Sequence, residues 1–244
     1  GFFCGACSLY FLRTTLKLED RLGKMKNPYT KWAFCAGGLG LLIFLFPPLY
    51  GEGYDALGPL LNGQSISYDG DTILAFMLHR PWLVPVFFAL ILILKVFSMT
   101  LTNAGGGVGG TFGPTLFVGA MAGFLLARVA NLLLAGTEFT VPEQNFVLVG
   151  MAGLMAGVMQ APMTAIFLIA EISGGYELFI PLIITASIAF GTIRIFEKYS
   201  IYTKRIAKSG DLLTHDSDQA VLTLLKVSDL VERGFSPVQI DATL

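Results

Sequence analysis

The chain has 244 residues, of which 54% are hydrophobic and 14% are charged, and its formal net charge at pH 7 is -1. A mean hydropathy of +0.69 is too high for a soluble globular domain, so the composition indicates an integral membrane protein. It also argues against nucleic acid as a partner, because the basic residues lie beside apolar segments without interleaved aromatic side chains for base stacking.

The charged residues are distributed unevenly along the chain. The first basic cluster consists of Arg13, Lys17, Arg21, Lys24, Lys26 and Lys31, and the second consists of Arg194, Lys198, Lys204, Arg205 and Lys208. Because basic residues beside membrane spans stay on the cytoplasmic side, both clusters are expected there. The acidic residues Glu52, Asp55, Asp69 and Asp71 lie between the first two long apolar runs, which fits the opposite side of the membrane.

The first elements in chain order are helical. Gly1 to Arg21 reads as a helix that leaves the membrane, and Trp32 to Phe46 crosses back. Pro47-Pro48 ends that span, because proline cannot continue a helix. Tyr54 to Leu61 is predicted to form a short re-entrant helix, and Thr72 to His79 a second short piece.

The rest of the membrane segment is also predicted to be helical. The expected helices are Trp82 to Thr102, Gly113 to Leu134, Phe146 to Gln160, Ala161 to Ile172 and Leu178 to Phe196. Closely spaced glycines and alanines between Gly150 and Gly157 predict close helix packing in a bilayer. Residues 211–244 are more polar and are expected to form a soluble cytoplasmic extension. The predicted fold class is therefore all-α, with several membrane spans.

A glycine-rich segment, Ala104 to Pro114, separates two of these helices and contains six glycines. Glycine does not keep a helix wound, whereas proline suits the first helical turn. The amides of Thr111, Phe112 and Gly113 would therefore point out of a helix start, where the macrodipole places about +0.5 charge. A helix start inside a bilayer is suited to holding an anion. A flexible hinge is an alternative interpretation of the segment. A nucleotide-binding loop is disfavoured, because no strand precedes the segment and no Lys-Ser/Thr pair follows it.

Several motifs resemble, in the same order, those of the CLC family of chloride channels and proton-coupled chloride exchangers. Gly110-Thr111-Phe112-Gly113-Pro114 is similar to the family's G-x-F-x-P signature. The other similar segments are Gly51-Glu52-Gly53-Tyr54, Gly150-Met151-Ala152-Gly153, Gln160-Ala161-Pro162-Met163-Thr164-Ala165 with Glu171, and Ser200-Ile201-Tyr202-Thr203, which resembles the segment that carries the family's central tyrosine.

The resemblance implies a particular domain organisation. Residues 1–208 look like the second of two inverted halves of the membrane domain, built from tilted, broken and re-entrant helices. Residues 209–244 look like a cytoplasmic linker and the start of a truncated CBS region, through Val227-Ser228-Asp229-Leu230 and Pro237-Val238. The family's first half carries a serine loop and a loop with a gating glutamate. Neither loop occurs in this sequence, so a missing N-terminal half is an implied partner.

The resemblance also implies the function. Chloride, the substrate, would be coordinated by the backbone amides of Thr111 and Phe112 and by the hydroxyl of Tyr202, with Gly113 nearby. No catalytic residue, cofactor or metal site is expected. Family members, some of them voltage-gated, lie in the cell membrane as multi-pass homodimers. The dimer helices here would be Pro162 to Ile172 and Leu178 to Phe196. Channel and proton exchanger both remain open, because the deciding glutamates belong to the first half.

Other interpretations are open at single residues. Tyr199 lies three residues from Tyr202 and competes with it for the anion-binding role. The ionisable residues Lys95 and Glu171 lie in apolar helices. A structural role is favoured over a transport function: Lys95 snorkels or pairs, and Glu171 caps the helix or satisfies the backbone near Ser173-Gly174. Cys4-Gly5-Ala6-Cys7 is interpreted as packing rather than as a redox or metal pair.

A second function of a different class is also open. The chain could be a membrane-anchored regulatory or scaffolding module whose helices only hold a cytoplasmic sensor. Anion flux through the complete protein distinguishes the two, because a scaffold would give none.

Overall fold

The computed structural model describes residues 1–62, 77, 80, 82–136 and 138–209, and this part of the chain is built mainly from α-helices. In chain order the helices are α1 (Phe2–Gly23), α2 (Pro28–Leu45), α3 (Tyr54–Leu61), α4 (Val84–Ala104), α5 (Phe112–Leu133), α6 (Glu143–Met159), α7 (Pro162–Ile172), α8 (Phe179–Phe196) and α9 (Ile201–Ser209). Each helix expected within the described residues is present. The predicted piece Thr72 to His79, except Met77, and the predicted extension 211–244 lie outside the described residues.

The chain divides into two compact units, residues 1–201 and 202–244. The first unit contains helices α1 to α8. The described residues of the second unit belong to α9, which begins at Ile201. The domain boundary expected from the sequence, between residues 208 and 209, remains a prediction.

Local chemistry explains where several helices begin. The Asn27 side chain accepts hydrogen bonds from the amides of Tyr29 and Thr30 at 3.0 and 3.4 Å, so it caps the start of α2. Pro28 and Pro162 are the first residues of α2 and α7. Proline is favoured there because its missing N–H has no helical partner to lose.

Four stretches of the described chain are long and apolar enough to cross a membrane: Pro28–Leu45, Val84–Ala104, Phe112–Leu133 and Phe179–Ile206. The long apolar run between positions 146 and 172 is instead two helices, α6 and α7. Gln160 ends α6 in the left-handed region, at φ 55°, and Pro162 starts α7.

Helix α6 lies at the centre of the first unit, in contact with α1, α5, α7 and α8. Its small residues allow these neighbours to approach closely. A Cβ added to Gly119 of α5 would lie 2.7 Å from the carbonyl oxygen of Gly150, and one added to Gly123 would overlap the carbonyl of Phe146. The close packing predicted for the glycines and alanines of α6 is therefore confirmed.

The contact between α1 and α6 also depends on small residues. Cys4 and Cys7 are buried and are not in a disulfide. A Cβ on Gly153 would lie 2.9 Å from the sulfur of Cys4. Ser8 donates a hydrogen bond to the carbonyl of Leu154 at 3.3 Å. The packing interpretation of the Cys4-Cys7 pair agrees with these contacts.

Candidate anion-binding site

The glycine-rich segment begins where α4 ends in a Schellman motif. Gly106 has a φ of 100°, and its amide donates to the carbonyl of Asn103 at 3.3 Å. The amide of Gly107 donates to the carbonyl of Thr102 at 2.9 Å. A side chain at Gly106 would strain the backbone, because the left-handed conformation favours glycine. The amides of Gly106 and Gly107 are thus used to terminate α4.

Helix α5 begins at Phe112, one residue before the predicted Gly113, after a non-helical stretch from Gly107 to Gly110. The carbonyl of Thr111 accepts two hydrogen bonds from Thr115, one from its amide at 3.0 Å and one from its hydroxyl at 2.6 Å. These bonds fix the first turn. The first N–H groups of any helix have no partner within that helix, so the amides of Phe112 and Gly113 are available to an anion by geometry.

The site residues differ in exposure. Thr111 is 1% exposed and Gly113 is buried, whereas Phe112 is 41% exposed and the preceding residues 106–110 are exposed. The start of α5 is therefore anchored on one side and open to the surface of this chain on the other. This agrees with a site that another part of a larger protein completes.

Tyr202 is the second residue of α9 and belongs to the second compact unit. Its side chain is 45% exposed. Its competitor Tyr199 is half-buried in the first unit, with the amine of Lys198 at 5.5 Å from the centre of its ring. The roles assigned to Thr111, Phe112, Gly113 and Tyr202 remain predictions.

A cavity of about 340 Å³ adjoins the glycine-rich segment. Its polar lining includes Glu52, Lys95, Ser98 and Asn103. Asn103 has a buried side-chain oxygen that has no hydrogen-bond partner among the described residues. The cavity therefore offers polar groups of both charges close to the start of α5.

Lys95 is 1% exposed and binds backbone carbonyls. Its amine donates to the carbonyl of Gly51 at 2.8 Å and to that of Leu49 at 3.2 Å, and it lies 4.5 Å from the centre of the Phe117 ring. Ser98 also donates to the carbonyl of Leu49, at 3.3 Å. Of the two structural roles expected for Lys95, snorkelling and pairing, the structure shows pairing, with backbone carbonyls. The side chain of Glu171, by contrast, is exposed near the end of α7.

Replacing Lys95 by Met is expected to destabilise the protein by about 1–3 kcal/mol, because the hydrogen bonds from its charged amine to the carbonyls of Leu49 and Gly51 would be lost. The measurement is thermal unfolding of the purified full-length protein. Lys17→Met, at an exposed position of α1, is the matched control and should change the unfolding temperature little. Equal unfolding temperatures for the two variants would show that the hydrogen bonds of Lys95 make no net contribution to the stability of the protein.

The structure adds one residue to the site that the sequence alone did not single out. Glu52 lies in the turn between α2 and α3, and its carboxylate is beside Gly113 at the start of α5. The contact could not be predicted from the sequence, because Glu52 and Gly113 are far apart in the chain and lie on separate elements. The sequence feature that could have drawn attention to Glu52 is its position between two glycines, Gly51 and Gly53.

The fold and the site define a multi-span membrane protein. In it, α5 begins directly after a non-helical glycine segment, so that the positive end of its dipole lies at a turn with no acidic residue of its own. Residues 1–194 match the family described as voltage gated chloride channel. The chain belongs to this family.

The curated relatives include three proteins named voltage-gated ClC-type chloride channel ClcB. The one from Citrobacter koseri is 30% identical over 209 residues, which are 84% of this chain and 44% of that protein. The one from Escherichia coli is 32% identical over 180 residues, 72% of this chain and 38% of that protein. The one from Salmonella typhimurium is 30% identical over 213 residues, 84% of this chain and 44% of that protein. The chain thus spans less than half the length of these relatives.

A solved structure described as a CLC-type fluoride/proton antiporter has a similar fold. It matches 82% of this chain and 42% of its own chain, with a TM-score of 0.60 and 21% sequence identity. The likeness confirms the predicted all-helical membrane fold.

Proposed function

We propose that the full-length protein transports chloride or a similar small anion across a membrane. The observation that carries the proposal is the start of α5, where a helix begins directly after a non-helical glycine segment. The first turn of α5 contains no acidic residue. Backbone amides and a helix dipole attract an anion without a fixed counter-charge that would trap it. The names of the relatives, which refer to chloride and fluoride, support a halide as the substrate.

The proposed anion ligands are the amides of Thr111 and Phe112, with Gly113 nearby, and the hydroxyl of Tyr202. Hydrogen bonds to a charged group contribute about 1.5–3 kcal/mol each, so three donors give on the order of 5–9 kcal/mol. An isolated ion loses tens of kcal/mol on leaving water for a dry, apolar interior. Three donors therefore do not suffice. Helix dipoles, residual water and donors from a first half must supply the difference, so this chain alone should neither bind chloride tightly nor conduct it.

The proposed partners are the first half of the membrane domain and a second copy of the protein. The chain spans 44% of the Citrobacter koseri relative, which leaves room for a first half. Large apolar side chains are exposed on α7 and α8, at Met163, Phe167, Ile180 and Ile184. An interface between two copies would cover such a surface.

The proposed location is the cell membrane, with the C-terminal segment in the cytoplasm. The basic residues that follow α8, from Lys198 to Lys208, support this orientation. The acidic residues near Glu52 would then lie on the opposite side.

The test of the proposed function is anion flux through the full-length protein reconstituted in liposomes. A chloride gradient should drive flux that is absent from protein-free liposomes, and simultaneous recording of internal pH separates a channel from a proton exchanger. A protein that serves only as a membrane-anchored scaffold gives no flux, and that result would refute the proposal.

Replacing Tyr202 by Phe is expected to weaken chloride binding by about 10-fold or more, because the anion loses one charge-assisted hydrogen bond. The measurement is isothermal titration of the full-length protein with chloride. Tyr199→Phe is the matched control and should leave the affinity unchanged. If Tyr199→Phe weakens binding and Tyr202→Phe does not, the hydroxyl ligand is Tyr199.

A further inference from the structure

The turn between α1 and α2 carries a cluster of positive charge. This turn cluster consists of Arg21, Lys24, Lys26 and Lys31, of which the first three are exposed and Lys31 is half-buried. The nearest acidic residues, Glu19 and Asp20, precede the cluster on α1, and no acidic residue follows it before Glu52. Neither ion pair found within the described part of the chain involves the cluster. Its charges are therefore available to a ligand from outside the chain.

The turn is fixed to the rest of the first unit, so the cluster has a defined place. Leu22 is buried and packs with Cys35 of α2 and Leu101 of α4. Met25, inside the turn, packs against the same three residues. The side chain of Asn27 already accepts hydrogen bonds from the first free amides of α2. The turn therefore offers a ligand its basic side chains rather than its backbone.

Helix α2, which follows the cluster, has a largely exposed apolar surface. It is long and apolar enough to cross a membrane, and of its 18 residues Cys35 alone is buried. Tyr29 and Trp32 are 83% and 62% exposed at the end of α2 nearest the cluster. Tyrosine and tryptophan at the end of a span lie at the level of the lipid headgroups. Positive charge, interfacial aromatic rings and an apolar span therefore follow one another along one helix.

We propose that the turn cluster binds the headgroup of an anionic phospholipid whose acyl chains lie along α2. The lysine amines and the Arg21 guanidinium complement the negative charge of the headgroup phosphate. A soluble phosphate would contact the cluster but not the exposed apolar surface of α2, so the geometry favours a lipid. The cytoplasmic side expected for this turn is also the side where anionic lipids give the membrane a negative surface potential. The inference does not depend on anion transport.

The test uses the full-length protein in liposomes of phosphatidylcholine that contain phosphatidylglycerol as the minor lipid. One lipid at a time is supplied with brominated acyl chains, which quench tryptophan fluorescence on contact. The contribution of Trp32 is the difference between a protein and its Trp32→Phe variant. At the same mole fraction of brominated lipid, phosphatidylglycerol should quench Trp32 several-fold more than phosphatidylcholine does.

A pair of double variants shows whether the cluster causes the preference. Lys24→Gln/Lys26→Gln should bring the two lipids to nearly equal quenching, because each basic residue near an anionic surface contributes about 5-fold to binding. Both lysines are exposed, so the variant keeps the fold. Lys17→Gln/Lys198→Gln makes the same charge change at exposed lysines outside the cluster and should keep the preference.

Each other outcome decides against the inference. Equal quenching by the two lipids in the wild type overturns it. Quenching by neither lipid overturns it as well, and shows that another part of the protein covers α2. An equal loss of preference in Lys17→Gln/Lys198→Gln assigns the effect to overall charge. A preference that excess inorganic phosphate abolishes assigns the cluster to a soluble ligand, and either result rejects the lipid site. Chloride flux is a separate measurement, so the proposed function stands or fails independently.

Discussion

Replacing the Phe112 amide by an ester is expected to raise the chloride Kd of the full-length protein by about 10- to 150-fold. The change is made by incorporating the α-hydroxy acid analogue of phenylalanine at position 112. It removes one N–H donor and keeps the side chain. A hydrogen bond to a charged acceptor contributes about 1.5–3 kcal/mol, which corresponds to this range of affinity. Chloride titration of the purified protein measures the effect.

Two controls separate the lost donor from other consequences of the ester. The ester weakens the Thr111 carbonyl as an acceptor, and Thr115 binds that carbonyl through its hydroxyl at 2.6 Å. Thr115→Val removes this bond without touching the Phe112 amide, so it should change the Kd much less. The same ester at Phe139, which is 78% exposed and lies outside the helices, should leave the Kd unchanged. Normal chloride affinity with the ester at position 112 would refute the amide ligand.

The helical part of the fold could be predicted from the sequence because glycine and proline mark its boundaries. Pro28 and Pro162 begin helices, and the glycines after Ala104 end one. Each of these effects is local, since it depends on the φ angle or the missing N–H of a single residue. The start of α5 followed from the same reasoning to within one residue, Phe112 instead of Gly113.

The surroundings of the candidate site could not be predicted, because they depend on contacts between residues far apart in the chain. An apolar helix that contains Lys95 favours snorkelling or pairing over transport, but it does not identify the partner of the amine. The bonds from Lys95 to the carbonyls of Leu49 and Gly51 required the packing of α4 against the turn after α2. The position of Glu52 beside Gly113 depends on that same turn.

The start of α5 is buried on one side and exposed on the other. Thr111 and Gly113 are buried, so this chain covers one side of the helix start. Phe112 and residues 106–110 are exposed, so the other side needs a cover. The proposed site needs donors beyond its three hydrogen bonds, because three such bonds do not compensate for the dehydration of an ion. The exposed side of the helix start is where such further donors would have access to the proposed site.

Replacing Gly123 by Ala is expected to destabilise the protein by about 3 kcal/mol, the upper part of the usual range for overpacking. The added Cβ would overlap the carbonyl of Phe146. That carbonyl is backbone, so it cannot yield by a change of rotamer, and α5 and α6 must move apart. The opposing glycine, Gly150, makes the same close approach from α6. Thermal unfolding of the full-length protein should show a decrease of about 3 °C or more.

Gly40→Ala is the matched control, because a Cβ on Gly40 of α2 would meet nothing within 4 Å. Alanine in a helix interior is favoured over glycine by about 0.5–1 kcal/mol, so this variant should unfold at the wild-type temperature or slightly above it. The contrast between the two variants isolates the steric effect from helix propensity. If Gly123→Ala unfolds at the same temperature as Gly40→Ala, α5 and α6 are not in close contact at Gly123. Because α5 carries the proposed anion ligands, chloride affinity should fall with stability in Gly123→Ala and remain normal in Gly40→Ala.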